Sequence, residues 1–137
     1  MREIKFRAWA GGVMVYFGLE DIVRQHNESF VVRSGYTVGP NSPKMQFTGL
    51  YDKRGVGIYD SDILQRVREN GIATWRLGWL QRHGCWDAVL LTNPSNDTRV
   101  TFYPFEWNIG EVIGNIYENP ELAKGEENEW ENLEIHN

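Results

Sequence analysis

The chain has 137 residues, six each of Trp, Tyr and Phe, and a formal net charge of −5. That length fits one domain or two very small ones able to hide roughly two-thirds of the surface of the unfolded chain, and the aromatic content suits pleated sheets and small barrels. A single cysteine, Cys85, excludes an internal disulfide, and the start MREIKFRAW lacks a signal-peptide pattern while no apolar run approaches the ~18 residues of a membrane span. The expectation is a protein of a reducing cytoplasm with no membrane partner.

Glu3 to Trp9 alternates strictly, with Ile4, Phe6 and Ala8 on one face and Glu3, Lys5, Arg7 and Trp9 on the other. This predicts a half-buried strand. Ala10-Gly11-Gly12 supplies a turn that tolerates positive φ, and Val13 to Phe17 alternates again, so the first seventeen residues read as a β-hairpin. Short strands are expected at Phe30 to Val32 and Tyr36 to Val38, punctuated by Ser34-Gly35. The two prolines of Gly39-Pro40-Asn41-Ser42-Pro43 cannot sit inside a ladder, so a segment boundary falls there.

The next stretch, MQFTGLYDKRGVGIYDSDIL from Met45 to Leu64, carries core anchors at Phe47, Leu50, Ile58, Ile63 and Leu64. Asp52-Lys53-Arg54-Gly55 reads as a reverse turn, and Asp60-Ser61-Asp62 offers side chains that cap a bend. Ser61 to Asn70 reads two ways. Ser61 could cap a helix whose Ile63, Leu64 and Val67 share a face and which Gly71 stops; as a strand the pattern is poorer, with Asn70-Gly71 turning into a strand from Ile72 to Leu80. Trp86 to Thr92 and Arg99 to Phe105 flank the polar loop Asn93-Pro94-Ser95-Asn96-Asp97 as another hairpin. Glu111 to Tyr117 is a last strand, and Pro120 suits the first turn of a short helix ending at Gly125.

From Glu118 onward there are seven Glu and one Lys, a balance of −6 that leaves +1 for residues 1 to 117. Such an acidic tail is expected to be solvated. Trp130, Leu133 and Ile135 interrupt it, however, and could let it dock on a neighbouring subunit, cover a basic surface of its own chain or imitate nucleic-acid charge.

Four patterns are weighed for chemistry, and each has a plainer reading. His83, Cys85 and Asp87 lie close together, but His26 and His136 fall in a loop and at the terminus and there is no second cysteine, so no metal site is expected, and with no oxyanion loop or orienting partner legible Cys85 is not expected to be a nucleophile. Asp52, Asp60 and Asp62 resemble an ion-binding cluster, yet turn and cap chemistry accounts for them without an EF-hand pattern. The dispersed glycines form no phosphate-cradling loop, and no cofactor is expected. Basic residues interleaved with aromatics, namely Arg66, Arg68, Trp75, Arg76, Trp79 and Arg82, with Trp86 nearby, could stack bases and hold phosphates. Against this, the Trp residues serve equally as core or interface, and a body charge of +1 is not strongly basic.

MREIKFRAW at the start, MQFTGLYDKRG with IYDSDIL in the middle and EVIGNIYENPEL from Glu111 to Leu122 lie in order along the chain. Together they resemble the YopX family of small phage and prophage proteins. The chain departs from the family in having Ser61 where glycine is usual and one residue fewer between Gly55 and Ile58. The resemblance implies a mainly β protein with an SH3-like small barrel and no catalytic residues to transfer, and it selects the strand for Ser61 to Asn70. The expected organisation is an N-terminal β segment over residues 1–43, the barrel over 44–117, and a short helix with the acidic tail over 118–137. The expected function is noncatalytic: a phage accessory protein in the bacterial host cytoplasm, associating as a homo-oligomer or with a host or phage protein. Nucleic-acid binding by the small barrel is the alternative.

Overall fold

The structure is a computed structural model that describes residues 3–68, 71–80, 84–92, 110–123 and 135–136. The N-terminal hairpin is formed by β1 (Phe6–Ala10) and β2 (Val13–Phe17), paired antiparallel from Phe6↔Phe17 to Ala10↔Val13. Its two-residue turn holds Gly11 at φ 61° and Gly12 at φ 84°. A tight turn matched to the strand twist needs positive φ at both central positions, and glycine meets that without a Cβ penalty.

A 3-10 turn at Leu19–Asp21 leads into β3 (Ile22–His26), β4 (Ser29–Val32) and β5 (Thr37–Val38), a small antiparallel sheet in that order. β3 is not foreseen from the sequence. Four of its five residues are exposed, so it lacks the inward face that produces alternation, and backbone pairing with β4 defines it. This sheet packs on the hairpin through a core of Ala8, Ala10, Val15, Phe17, Val32 and Val38, with Phe6, Ile22 and Phe30 around it.

Next come β6 (Lys44–Tyr51) and β7 (Gly57–Tyr59). β6 pairs with β1 through Phe6↔Gln46, Arg7↔Met45 and Ala8↔Lys44, giving a sheet of order β2-β1-β6-β7. The first strand after the proline loop thus shares a sheet with the N-terminal hairpin. Both faces of β1 are covered, but by other layers: Ala8, 0% exposed, packs with Val32 and Val38 of the small sheet, and Arg7, 3% exposed, meets Asp60 and Asp62, while Ile4, expected inward, is 57% exposed ahead of the strand. The alternation locates the strand but not the second layer over it.

The rest of the described chain forms β8 (Asp62–Arg68), β9 (Gly71–Leu80), β10 (Cys85–Thr92), β11 (Glu111–Asn115) and β12 (Ile135–His136). They make a curled half-barrel of order β10-β9-β8-β11, with β12 added on β9. Its core is Ile58, Leu64, Ala73, Trp75, Leu77 and Ala88, with Leu50, Trp86 and Val112 against it. The segment after Ser61 is a strand, and its helix-like spacing has a structural cause. Ile63 and Leu64 point to opposite faces and both are 0% exposed, because the base of β8 is covered on two sides, so consecutive apolar residues replace alternation.

The short helix expected at Pro120 is a single 3-10 turn over Pro120–Ala123. Gly125, the loop Asn93 to Asp97 and the strand expected from Arg99 to Phe105 lie outside the described residues. Among those described there is no α-helix, and no helix is long and apolar enough to cross a membrane.

Candidate functional site

The polar residues that the fold gathers lie at the seam between the first sheet and the half-barrel. Arg7 comes from β1, Asp60 and Ser61 from the bend after β7, Asp62 from the start of β8, Arg76 from β9 and Asn115 from the end of β11. All six are at most 8% exposed. The Arg7 guanidinium donates through Nη2 to the Asp62 carboxylate at 2.8 Å and to the Asp60 carbonyl at 3.0 Å. It also lies over the Tyr59 ring, 4.8 Å from its centroid. The other Asp62 oxygen accepts the Tyr59 N–H at 2.7 Å. An ion pair removed from water has to satisfy its remaining donors and acceptors, and these contacts do so for Asp62.

Ser61 makes the bend. Its φ is 73°, the left-handed region that glycine enters without strain. The serine hydroxyl in turn is hydrogen-bonded to the Asp60 carboxyl and the Tyr117 phenol, and the Ser61 N–H donates to the Leu77 carbonyl at 3.0 Å. Burial lifts the Asp60 carboxyl to about 7, against the pull of Arg76 and Arg7. Burial likewise lifts Asp62 to about 6, against Arg7. Desolvation disfavours the charged form more strongly here than the guanidinium groups favour it.

Asp52 belongs to the preceding turn. It accepts the N–H groups of Arg54 at 2.9 Å and Val56 at 2.8 Å through Oδ1, and that of Val112 at 2.9 Å through Oδ2. Burial alone would raise its pKa, but these three backbone donors together with the Arg54 charge outweigh it and hold the carboxyl below the usual value. Asp52 thus ties the reverse turn to β11, the turn chemistry expected from the sequence.

Two clefts flank the seam. One, of about 390 Å³, is lined by Arg7, Tyr16, Tyr59, Asp62, Asn115 and Glu118, among others. The second, of about 410 Å³, lies between the first sheet and the half-barrel and is lined by Phe6, Lys44, Gln46, Asp60, Trp79 and Trp86, with Met45 beneath. Trp79 and Trp86 meet edge to face with centroids 5.1 Å apart. Among the described residues no group of three or more His, Cys, Asp or Glu is placed to hold a metal ion.

Two of the basic and aromatic residues singled out for nucleic acid are interior. Trp75 is a core residue at 1% exposure and Arg76 is buried at 8%, so neither offers a face to a base or a phosphate. Arg66 is half-buried on β8, and Trp79 is half-buried beside the second cleft. Arg68 lies on β8 with its side chain not described, and Arg82 lies outside the described residues. Of the tail residues, Trp130 and Leu133 also lie outside them. Ile135 is in β12, where its backbone pairs with Leu80. Cys85 is exposed at the start of β10. What sequence reading missed is Arg7: its place in an alternating strand assigns it to an outer face, and nothing local announces a carboxylate 55 residues away.

The chain belongs to the YopX protein family, whose sequence profile matches residues 5–124. Among solved structures it is similar to protein EF1440 from Enterococcus faecalis, with a TM-score of 0.58 and 21% identity over 90% of this chain and 100% of that one. A likeness at that identity shows a common fold. No curated protein matches the sequence.

Proposed function

We propose that this chain is a noncatalytic phage or prophage accessory protein of the bacterial cytoplasm that works by association, in the first place with a second copy of itself. The observation that carries the reading is the β8–β9 hairpin. Near the seam its outer face is covered at Ile63 and Arg76, which are cross-strand partners at 0% and 8% exposure. Farther out the same face ends in another cross-strand pair, Val67 and Ile72, left 74% and 48% exposed. Two adjacent aliphatics on a regular ladder lose hydration when a partner covers them. The ionisable groups at the seam are meanwhile engaged with one another and with backbone, which suits a structural role better than a reactive one.

Nucleic-acid binding is the weaker reading, since Trp75 and Arg76 are interior. Sedimentation velocity over a hundredfold range of concentration tests association: a rising sedimentation coefficient is expected, and a monomer throughout that range overturns the reading.

A further inference from the structure

β9 is ten residues long and its two edges are used differently. One edge pairs with β10, including Trp79↔Trp86 and Leu80↔Cys85. The other pairs with β8 from Gly71 to Arg76, then receives the Ser61 N–H on the Leu77 carbonyl, and then pairs with β12 through Trp79↔His136 and Leu80↔Ile135. The end of β9 is therefore an acceptor for an antiparallel strand, and two residues from the far C-terminus fill it.

We propose that this acceptor is a strand-exchange site, filled in the dimer by β12 of a second copy of the chain. The inference rests on the association reading and adds to it a second contact, at the end of β9 away from Val67 and Ile72. Four features support it. An uncovered strand edge presents unpaired N–H and C=O groups, a template for another chain. Among the described residues β12 pairs with β9 alone, so its transfer breaks no other strand pairing there. Twelve peptide steps separate Ala123 from Ile135, a reach of about 40 Å when extended. That connection carries five Glu and one Lys between 124 and 134, and like charges favour extension of a linker over folding back. Exchange reproduces in the dimer the backbone pairing already present in one copy, which makes it a low-cost route to a two-fold assembly.

The test uses the full chain in a Cys85→Ser background, because Cys85 lies opposite Leu80. Two single variants, Leu80→Cys and Ile135→Cys, are made with tags of different mass, mixed and mildly oxidised. In neither can a disulfide form within one chain. A covalent heterodimer at least tenfold above that from Ile135→Cys mixed with Ser34→Cys is the expected result. The exchange is overturned if the mixture gives no such excess while the double variant Leu80→Cys/Ile135→Cys closes within single chains. Trp79→Cys with His136→Cys repeats the test one residue along, should Leu80→Cys fail to fold. Self-association in the sedimentation experiment without crosslinking would discard the exchange and leave the association reading intact; a monomer there would discard both.

Discussion

Arg7 and Asp62, 55 positions apart in the chain, form an ion pair of 2.8 Å at 3% and 2% side-chain exposure. It joins β1 of the first sheet to β8 of the half-barrel. Removing one partner from a buried pair leaves an uncompensated charge, so Arg7→Ala and Asp62→Ala should each destabilise the fold by about 3–5 kcal/mol in urea titrations. Arg7→Met/Asp62→Leu should recover much of that loss, since packed apolar groups need no pairing. Single variants within about 1 kcal/mol of the parent would contradict a pair buried in this way.

The pH dependence follows from three carboxyls. Folding raises Asp60 from 3.8 to about 7 and Asp62 to about 6, mainly through burial. The folded chain thus binds protons that the unfolded chain has released, and stability falls as pH rises from near 4 through 7. Asp52 acts in the opposite sense: its lowered pKa adds stability above 3.8 that is lost as pH falls through the folded value. The urea midpoint should peak near pH 4–5 and decline toward pH 8, with a change on the order of 3 kcal/mol. Asp60→Asn should flatten most of the decline. A parent profile that is level or climbs over this range would refute the assignment.

At Ser61 the backbone is left-handed, at φ 73°, and the side chain is 0% exposed. A β-branched residue there meets both backbone strain and a filled interior, so Ser61→Val should lose about 2–4 kcal/mol. Thermal unfolding measures this directly, and an unchanged midpoint would show that the bend is not needed.

The exposed pair on the hairpin separates association from folding. Val67 is 74% exposed, so Val67→Asp should leave stability within about 0.5–1 kcal/mol while weakening self-association at least tenfold by sedimentation. Equal association by the variant would move the contact elsewhere.

Arg76→Glu probes the opposite case. Arg76 is 8% exposed and faces Asp60, so reversing its charge should lower stability by several kcal/mol, on the order of 3, before any effect on a ligand could be read. A stable, soluble Arg76→Glu protein would place that side chain outside the seam.

Much of the strand layout is legible in the residues because alternation and turn chemistry act over a few positions. The hairpin around Gly11-Gly12 and the turn anchored by Asp52 need only their neighbours. The strand at Asp62–Arg68 is different: helix and strand patterns compete there, since Ile63 and Leu64 are buried on opposite faces, and family resemblance resolves what periodicity does not. The candidate site is scarcely legible. Asp60 and Asp62 read as bend residues, and they are; that they are also interior depends on the layer supplied by β1.

Residue order alone settles the β class, the main turns and the family, because these rest on local backbone preferences and literal motifs. That Arg7 faces inward, that Trp75 is core and that β12 joins β9 are settled by the folded arrangement. Each of these depends on which distant strand covers a given face or edge, and burial by a remote neighbour, unlike a turn, leaves no mark on adjacent residues.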